Sequence, residues 1–255
     1  MVEYLWESHG APGHARERVV PTGTLELVVS LVDGRGRIYS ADGTVQSVSG
    51  AMVSGAYRRP FTFDTHDHAS VVGAHLRPGY AGLVLGVPPS KLVDRHVDLD
   101  ALWGGRAHEL REQLRATITT EERFRILEET LISRLSDRRV HPTVPYALEA
   151  LAHPQARVAS IAKSAGISQR TLIEHFTSAV GLTPKRFGRI VRFHRAAALA
   201  RSGPFDWARV AHESGYYDQA HLIHDFRELA EVTPSDLARA STHVKEHHQL
   251  AVLDG

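Results

Sequence analysis

The sequence predicts an α+β chain of two kinds of domain, a β-rich front and an all-α back. Three observations carry this. Residues 15–100 are rich in Val, Gly, Thr and Pro, with turn signals at short intervals. From about residue 106 the apolar positions change to helical spacing. Residues 157–240 contain an internal repeat. A chain of 255 residues, 42% hydrophobic and 23% charged, suits one large globular domain or two modest ones.

In the front segment the short β-type runs are Leu25–Val32, Arg37–Tyr39, Val45–Val48, Phe61–Phe63 and Ser70–Leu76. Turns at Pro21-Thr-Gly23, Asp33-Gly34, Asp42-Gly43, Ser54-Gly55 and Arg77-Pro-Gly79 separate or flank them, the pattern of a small antiparallel sandwich or barrel. Glu26 stands alone in an apolar strand, either as an outward edge residue or as a pocket acid. Of the 17 histidines, His66 and His68 with His75 invite a metal reading, because His-x-His puts two imidazoles on one strand face. Asp64–Ala69 is polar enough to be a hairpin loop, and no following Glu and second His complete a ligand set at recognisable spacing. No metal or cofactor is expected, and His75 reads as pocket lining or a core histidine.

Thr119-Thr-Glu-Glu122 reads as a capping box, with Phe124, Leu127, Leu131 and Leu135 following on one helix face. Asp137–Pro142 is polar and ends in proline, as a linker does. The division is therefore 1–105 (β-rich), 106–141 (helical linker), 142–240 (repeated helical domain) and 241–255 (tail).

The repeat aligns Ser168–Phe176 with Asp218–Phe226 at an offset of 50. Gln169, Leu172, Ile173, Phe176, Thr183 and Pro184 match Gln219, Leu222, Ile223, Phe226, Thr233 and Pro234. Each copy reads as helix, glycine turn, helix. Gly166 and Gly215 stop the first helix, and Ser168 and Asp218 cap the second. Two such helix-turn-helix units suit adjacent major grooves of a duplex, ~34 Å apart. Between them, Lys185–Ala200 reads as a long connecting helix with a core face and a cationic fringe of Lys185, Arg186, Arg189, Arg192 and Arg195.

The total charge of +1 conceals this asymmetry. Residues 1–137 carry −3, residues 138–245 carry +6, and the last ten carry −2. A basic back half points to a polyanionic partner. The absence of cysteine excludes disulfides, thiol catalysis and cysteine-ligated zinc. No apolar run approaches the ~20 residues that cross a bilayer. The N-terminus lacks the order of a signal peptide, so a cytoplasmic protein with no membrane partner is expected.

Residues 142–240 resemble the AraC/XylS family of bacterial transcriptional regulators. The first signature lies in Ser168, Arg170, Leu172, Phe176, Gly181, Thr183 and Pro184, and the second in Gly215, Tyr216, Asp218, Gln219, Leu222 and Phe226. The front half is similar to the cupin-like sensor domain of a subgroup of that family, through Val72–Gly79, Leu85–Pro88 and Leu99–Gly104. The resemblance implies a sequence-specific transcription factor for double-stranded DNA, an activator or a repressor. It would be controlled by a small-molecule effector or by dimerisation, with RNA polymerase as a further partner and a homodimer as the expected state. The helix 120–136 is either a dimer contact or packs on its own front domain. Base-reading positions are Gln169, Arg170, Ile173 and Glu174 in the first unit, and Gln219, Ala220, Ile223 and His224 in the second. Gln219 reads equally as a brace for its own helix. Phosphate contacts are expected from Arg157, Lys185, Arg186, Arg189 and Arg192, and an effector pocket around Glu26 and His75. The sequence departs from the family at Glu174, which needs a nearby arginine or a cytosine amino group. It departs again at Glu231, which replaces a glycine, so the second unit is expected to close its helix differently. The family's DNA-repair methyltransferase branch needs acceptor cysteines and is excluded. The alternative is a metal-dependent cupin-type enzyme fused to a DNA-binding domain.

Overall fold

The computed structural model describes residues 1–10, 14–201, 206–239 and 251–253. The front domain contributes β1 (Val2–His9), β2 (Arg16–Val19), β3 (Leu25–Ser30), β4 (Gly36–Ser40), β5 (Val45–Val48), β6 (Ala51–Ser54), β7 (Phe61–Asp64), β8 (Ser70–Leu76) and β9 (His96–Asp98). They form two antiparallel sheets, ordered β1-β8-β3-β6-β9 and β2-β7-β4-β5. A final strand, β10 (Ala251–Leu253), pairs with the outer edge of β2. The pairs are nested: β1 with β8, β2 with β7, β3 with β6, β4 with β5. This is one long antiparallel ribbon wound into two sheets, a jelly roll, the sandwich that cupins also use.

The strands β1, β2, β6 and β9 are additional to those legible in the sequence. β1 is only half-buried and carries two acids, which blurs its alternation. β2 is mostly charged, and its charges find partners on other elements: Arg16 bonds to Asp64 at 3.0 Å and Arg18 lies 3.6 Å from Glu231. The expected tail at 241–255 includes β10, while its remaining residues, with His243, His247 and His248, lie outside the described residues.

Alternation along β3 sets the plan of the domain. Leu25, Leu27 and Val29 point away from the second sheet into a core shared with the linker helices. Glu26 and Val28 point into the space between the sheets. Because β3 is the central strand of its sheet, Glu26 is an interior acid and not an edge residue. The helices α1 (Gly82–Leu85), α2 (Asp100–Trp103), α3 (Gly105–Ala116) and α4 (Thr120–Ser133) cover the outer face of the first sheet through Trp103, Leu110, Leu114, Leu127 and Leu131. Arg111 fastens α3 by donating to the carbonyls of Ser30 at 3.0 Å and Val32 at 2.6 Å. Helix α4 thus packs on its own front domain. Its cap is half of the expected box: Thr119 accepts from the Glu122 amide, but the Glu122 carboxylate turns to Arg125. Leu135 falls beyond the helix and is exposed.

The back half comprises α5 (Thr143–Leu151), α6 (Val158–Ser164), α7 (Gln169–Val180), α8 (Pro184–Arg201), α9 (Trp207–Ser214), α10 (Gln219–Ala230) and α11 (Pro234–Arg239). Leu172, Phe176 and Val180 of α7 close a small core with α5, α6 and Phe187 of α8. Phe193 of α8 and Phe226 of α10, 4.8 Å apart edge to face, lie in the second unit. That unit shares one hydrophobic cluster with the front domain. The seam is close. A side chain at Gly23 would lie 3.1 Å from the Phe187 ring, and His194 donates to the Pro21 carbonyl at 2.7 Å.

Candidate nucleic-acid interface

Each helix-turn-helix unit is built by local chemistry. In the first, Gly166 takes φ +68 after α6, and the Ser168 hydroxyl accepts from the Thr171 amide at 3.0 Å to start α7. In the second, Gly215 takes φ +86 after α9, and Asp218 accepts from the His221 amide at 2.8 Å to start α10. Gly215 also lies under Pro154, whose carbonyl oxygen would be 2.2 Å from any Cβ there. Leu172 and Phe176, and likewise Leu222 and Phe226, are buried. The opposite face of each helix is therefore free to meet a partner.

On α7, Gln169, Arg170 and Glu174 are exposed and Ile173 is half-buried. Arg170 and Glu174 bond to each other at 2.9 Å across one helical turn, so the arginine that Glu174 requires is its own neighbour. At 89% and 61% side-chain exposure the pair is held by only a few tenths of a kcal/mol and opens readily. On α10, Gln219, Ala220 and His224 are exposed and Ile223 is half-buried. Gln219 makes no side-chain hydrogen bond among the described residues. His224 lies 3.5 Å from Glu228. Tyr217, 92% exposed just ahead of α10, went unnoticed in the sequence, where an aromatic beside a cap was the available signal.

The cations divide into two groups. Arg157 and Lys185 are exposed. Arg186 is half-buried and donates to the Arg58 carbonyl at 3.3 Å. Arg192 lies 5.7 Å from the Tyr216 ring. Arg195 donates to the Ala152 carbonyl. Arg189 faces the domain interior, bonding Asp225 at 2.7 Å and Glu228 at 2.6 Å, and so ties α8 to α10 instead of lying on an outward fringe. The Arg189 hydrogen bond outweighs burial and holds the Glu228 carboxyl below its ordinary value. Glu231 and Gly181 both end their helices in the left-handed region, at φ +59 and φ +93, but the Gly181 amide donates to the Thr177 carbonyl while no such cap bond from Glu231 is found among the described residues.

A second concavity lies between the sheets of the front domain, a cavity of about 80 Å³ with aromatic and aliphatic walls. Glu26 faces it; the Trp6 indole donates to Glu26 at 3.1 Å, while His75 bonds its other oxygen from behind. His75 is outside the lining, stacked 4.6 Å from Tyr4. Burial pushes its imidazole down, but the bond and charge of Glu26 and the charge of Glu3 more than offset this, leaving it raised. His66 is exposed and His68 lines the cavity, so the three histidines are not brought together. Among the described residues no group of three or more His, Cys, Asp or Glu side chains is placed to hold a metal. No helix among them is long and apolar enough to cross a membrane.

Two capped helix-turn-helix units joined by one helix define a double helix-turn-helix module. Residues 147–240 match the family described as "Helix-turn-helix domain". Residues 1–98 match a "Domain of unknown function (DUF6597)". An uncharacterized HTH-type transcriptional regulator of Haemophilus influenzae is 26% identical over 117 residues, 45% of this chain and 38% of that protein. The chain thus covers well under half the length of that relative. The structure of fatty-acid-bound ToxT from Vibrio cholerae aligns with 92% of this chain and 93% of its own, at 10% identity and a TM-score of 0.49. The DNA-binding domain of AdpA, in complex with a target DNA, aligns with 38% of this chain and 86% of its own, at 27% identity and a TM-score of 0.34.

Proposed function

We propose that the chain is a sequence-specific DNA-binding transcription factor, with the double helix-turn-helix module reading a duplex and the jelly-roll domain governing it. The observation that carries this is the pair of capped second helices, α7 and α10, each presenting exposed polar residues at its N-terminal end. The match of residues 147–240 to a helix-turn-helix family and the Haemophilus relative's description support it. In this reading α7 and α10 enter successive major-groove faces. Arg170 leaves Glu174 for guanine, Glu174 accepts from a cytosine amino group, and Gln219 addresses adenine. Arg157 and Lys185 meet phosphates, with Arg186 and Arg192 at the margin, while Arg189 fixes the angle between α8 and α10.

Control would come from a small molecule in the inter-sheet cavity, or from a homodimer using the exposed Ile132 of α4 and the neighbouring Leu135. Activation through RNA polymerase belongs to the same proposal.

Selection of preferred sites from a random duplex pool tests the function. A single extended site, bound in a salt-dependent manner, is the expected outcome. Binding without preference over genomic competitor DNA would overturn the proposal. Arg170→Ala should cost about 1–3 kcal/mol at one base position. Equal loss on every sequence would mean that Arg170 touches only phosphate.

A further inference from the structure

Resting on the reading of the inter-sheet cavity as an effector site, we propose that the loop joining β2 to β3, residues 20–24, carries the state of that cavity to α8 and through it to both helix-turn-helix units.

The cavity and α8 share this loop. Val20, Pro21, Thr22 and Thr24 form part of the cavity wall. From the same few residues, the Pro21 carbonyl accepts from His194 of α8 at 2.7 Å. Gly23, buried at φ +82, lies close against the same helix. A Cβ there would be 3.1 Å from the Phe187 ring and 3.8 Å from Cγ2 of Ile190. Phe187, Ile190 and His194 follow one another at helical spacing, so the loop meets a single face of α8.

The loop is also the wall with least to hold it. Strand β2 is paired with β7 as far as Val19, and β3 is paired with β8 from Leu25 onward. Among the described residues no backbone–backbone hydrogen bond involves residues 20–24. A strand wall yields to an occupant only by breaking ladder bonds, whereas this loop has none to break. Within it the Thr22 and Thr24 hydroxyls bond to each other at 2.7 Å, and the Thr24 amide donates to the Thr22 hydroxyl at 3.3 Å. These bonds make it shift as one piece.

Helix α8 is the element that the two units have in common. Phe187 belongs to the core of the first unit, and Phe193 packs on Phe226 of the second. Arg189 bonds Asp225 and Glu228 of α10. Pressure on the face that holds Phe187, Ile190 and His194 therefore bears on the frame that sets α7 against α10. Contiguous packed groups supply the route, and the coupling along it is a measurable quantity.

Isoleucine methyl NMR of the full-length chain tests this without a known effector. Ile38 lines the cavity and reports its occupancy, Ile190 reports the contact with the loop, and the exposed Ile118 is the reference. The probe is xenon under pressure, which enters small apolar cavities. Xenon should shift the Ile38 and Ile190 signals and leave Ile118 in place. His194→Leu removes the donor to Pro21; it should keep the Ile38 response and cut that of Ile190 by at least half. His194→Gln retains a donor and should restore it. A response of Ile38 alone, or an Ile190 response indifferent to His194, overturns the transmitting role and leaves the cavity a ligand site. If xenon does not enter, Val71→Leu extends a wall on β8 into the same space and is read at the same methyls. An unmoved Ile190 then overturns the transmitting role, and an unmoved Ile38 in both experiments overturns the effector site as well. None of these outcomes bears on DNA recognition, which site selection tests separately.

Discussion

His96 shows how a single residue acquires properties that its type does not predict. It sits on the three-residue strand β9, opposite Ser54 of β6, and burial keeps it neutral with a pKa of about 3. Its ordinary value is 6.5, so between pH 6.5 and 3 the unfolded chain binds a proton that the folded chain refuses. His96 therefore favours the fold above pH 6.5 and withdraws that support as pH falls. Between pH 7 and 5 the loss should be about 2 kcal/mol. His96→Gln removes the titration, so denaturant melts of both proteins at the two pH values should differ by that amount. Parallel pH profiles would refute it. Glu26, Glu17 and His68, which also line the cavity, and His75 behind Glu26 are the same in both proteins, so the comparison isolates His96.

At the scale of elements, the helix ends give two opposed expectations at the same backbone conformation. Glu231 pays for a left-handed φ of +59 with a side chain attached, against a half-buried ion pair to Arg18 at 3.6 Å. Glu231→Gly should raise stability by about 0.5 kcal/mol, after allowing for the freer unfolded chain. Gly215 needs both φ +86 and the space under Pro154. Gly215→Ala should cost ~2 kcal/mol or more, since the strain and the collision add. Urea denaturation of the two variants measures both signs, and a stabilising Gly215→Ala would show that the second turn has no close contact. The repeat, its caps and its glycine turns were legible because capping and left-handed turns are fixed by residues within a few positions. Arg189 was not. Its place on the inner side of α8 depends on Asp225 and Glu228 arriving from α10, 36 and 39 residues away.

For the whole molecule, the single hydrophobic cluster that joins the first sheet to α8 and α10 predicts one cooperative unfolding event. Calorimetry should show a single transition. Gly23→Leu, which forces a side chain onto Phe187 at the seam, should split it in two; two well-separated transitions in the unaltered protein would refute the shared core. The sequence by itself determined the order of the domains, the two helix-turn-helix units and the outward positions of α7 and α10. These follow from composition, helical periodicity and capping over short stretches of chain. Only the tertiary structure decided that β1 pairs with β8, that a charged run such as Arg16–Val19 is a strand, and that Glu26 faces inward. It also decided that His96, never singled out in the sequence, lies in the same cavity as Glu17. The physical reason is the nested ribbon of the jelly roll, which brings β2, β3 and β9 to one space from positions up to 80 residues apart. Charges that read as surface there are held inside by partners that no local pattern reveals.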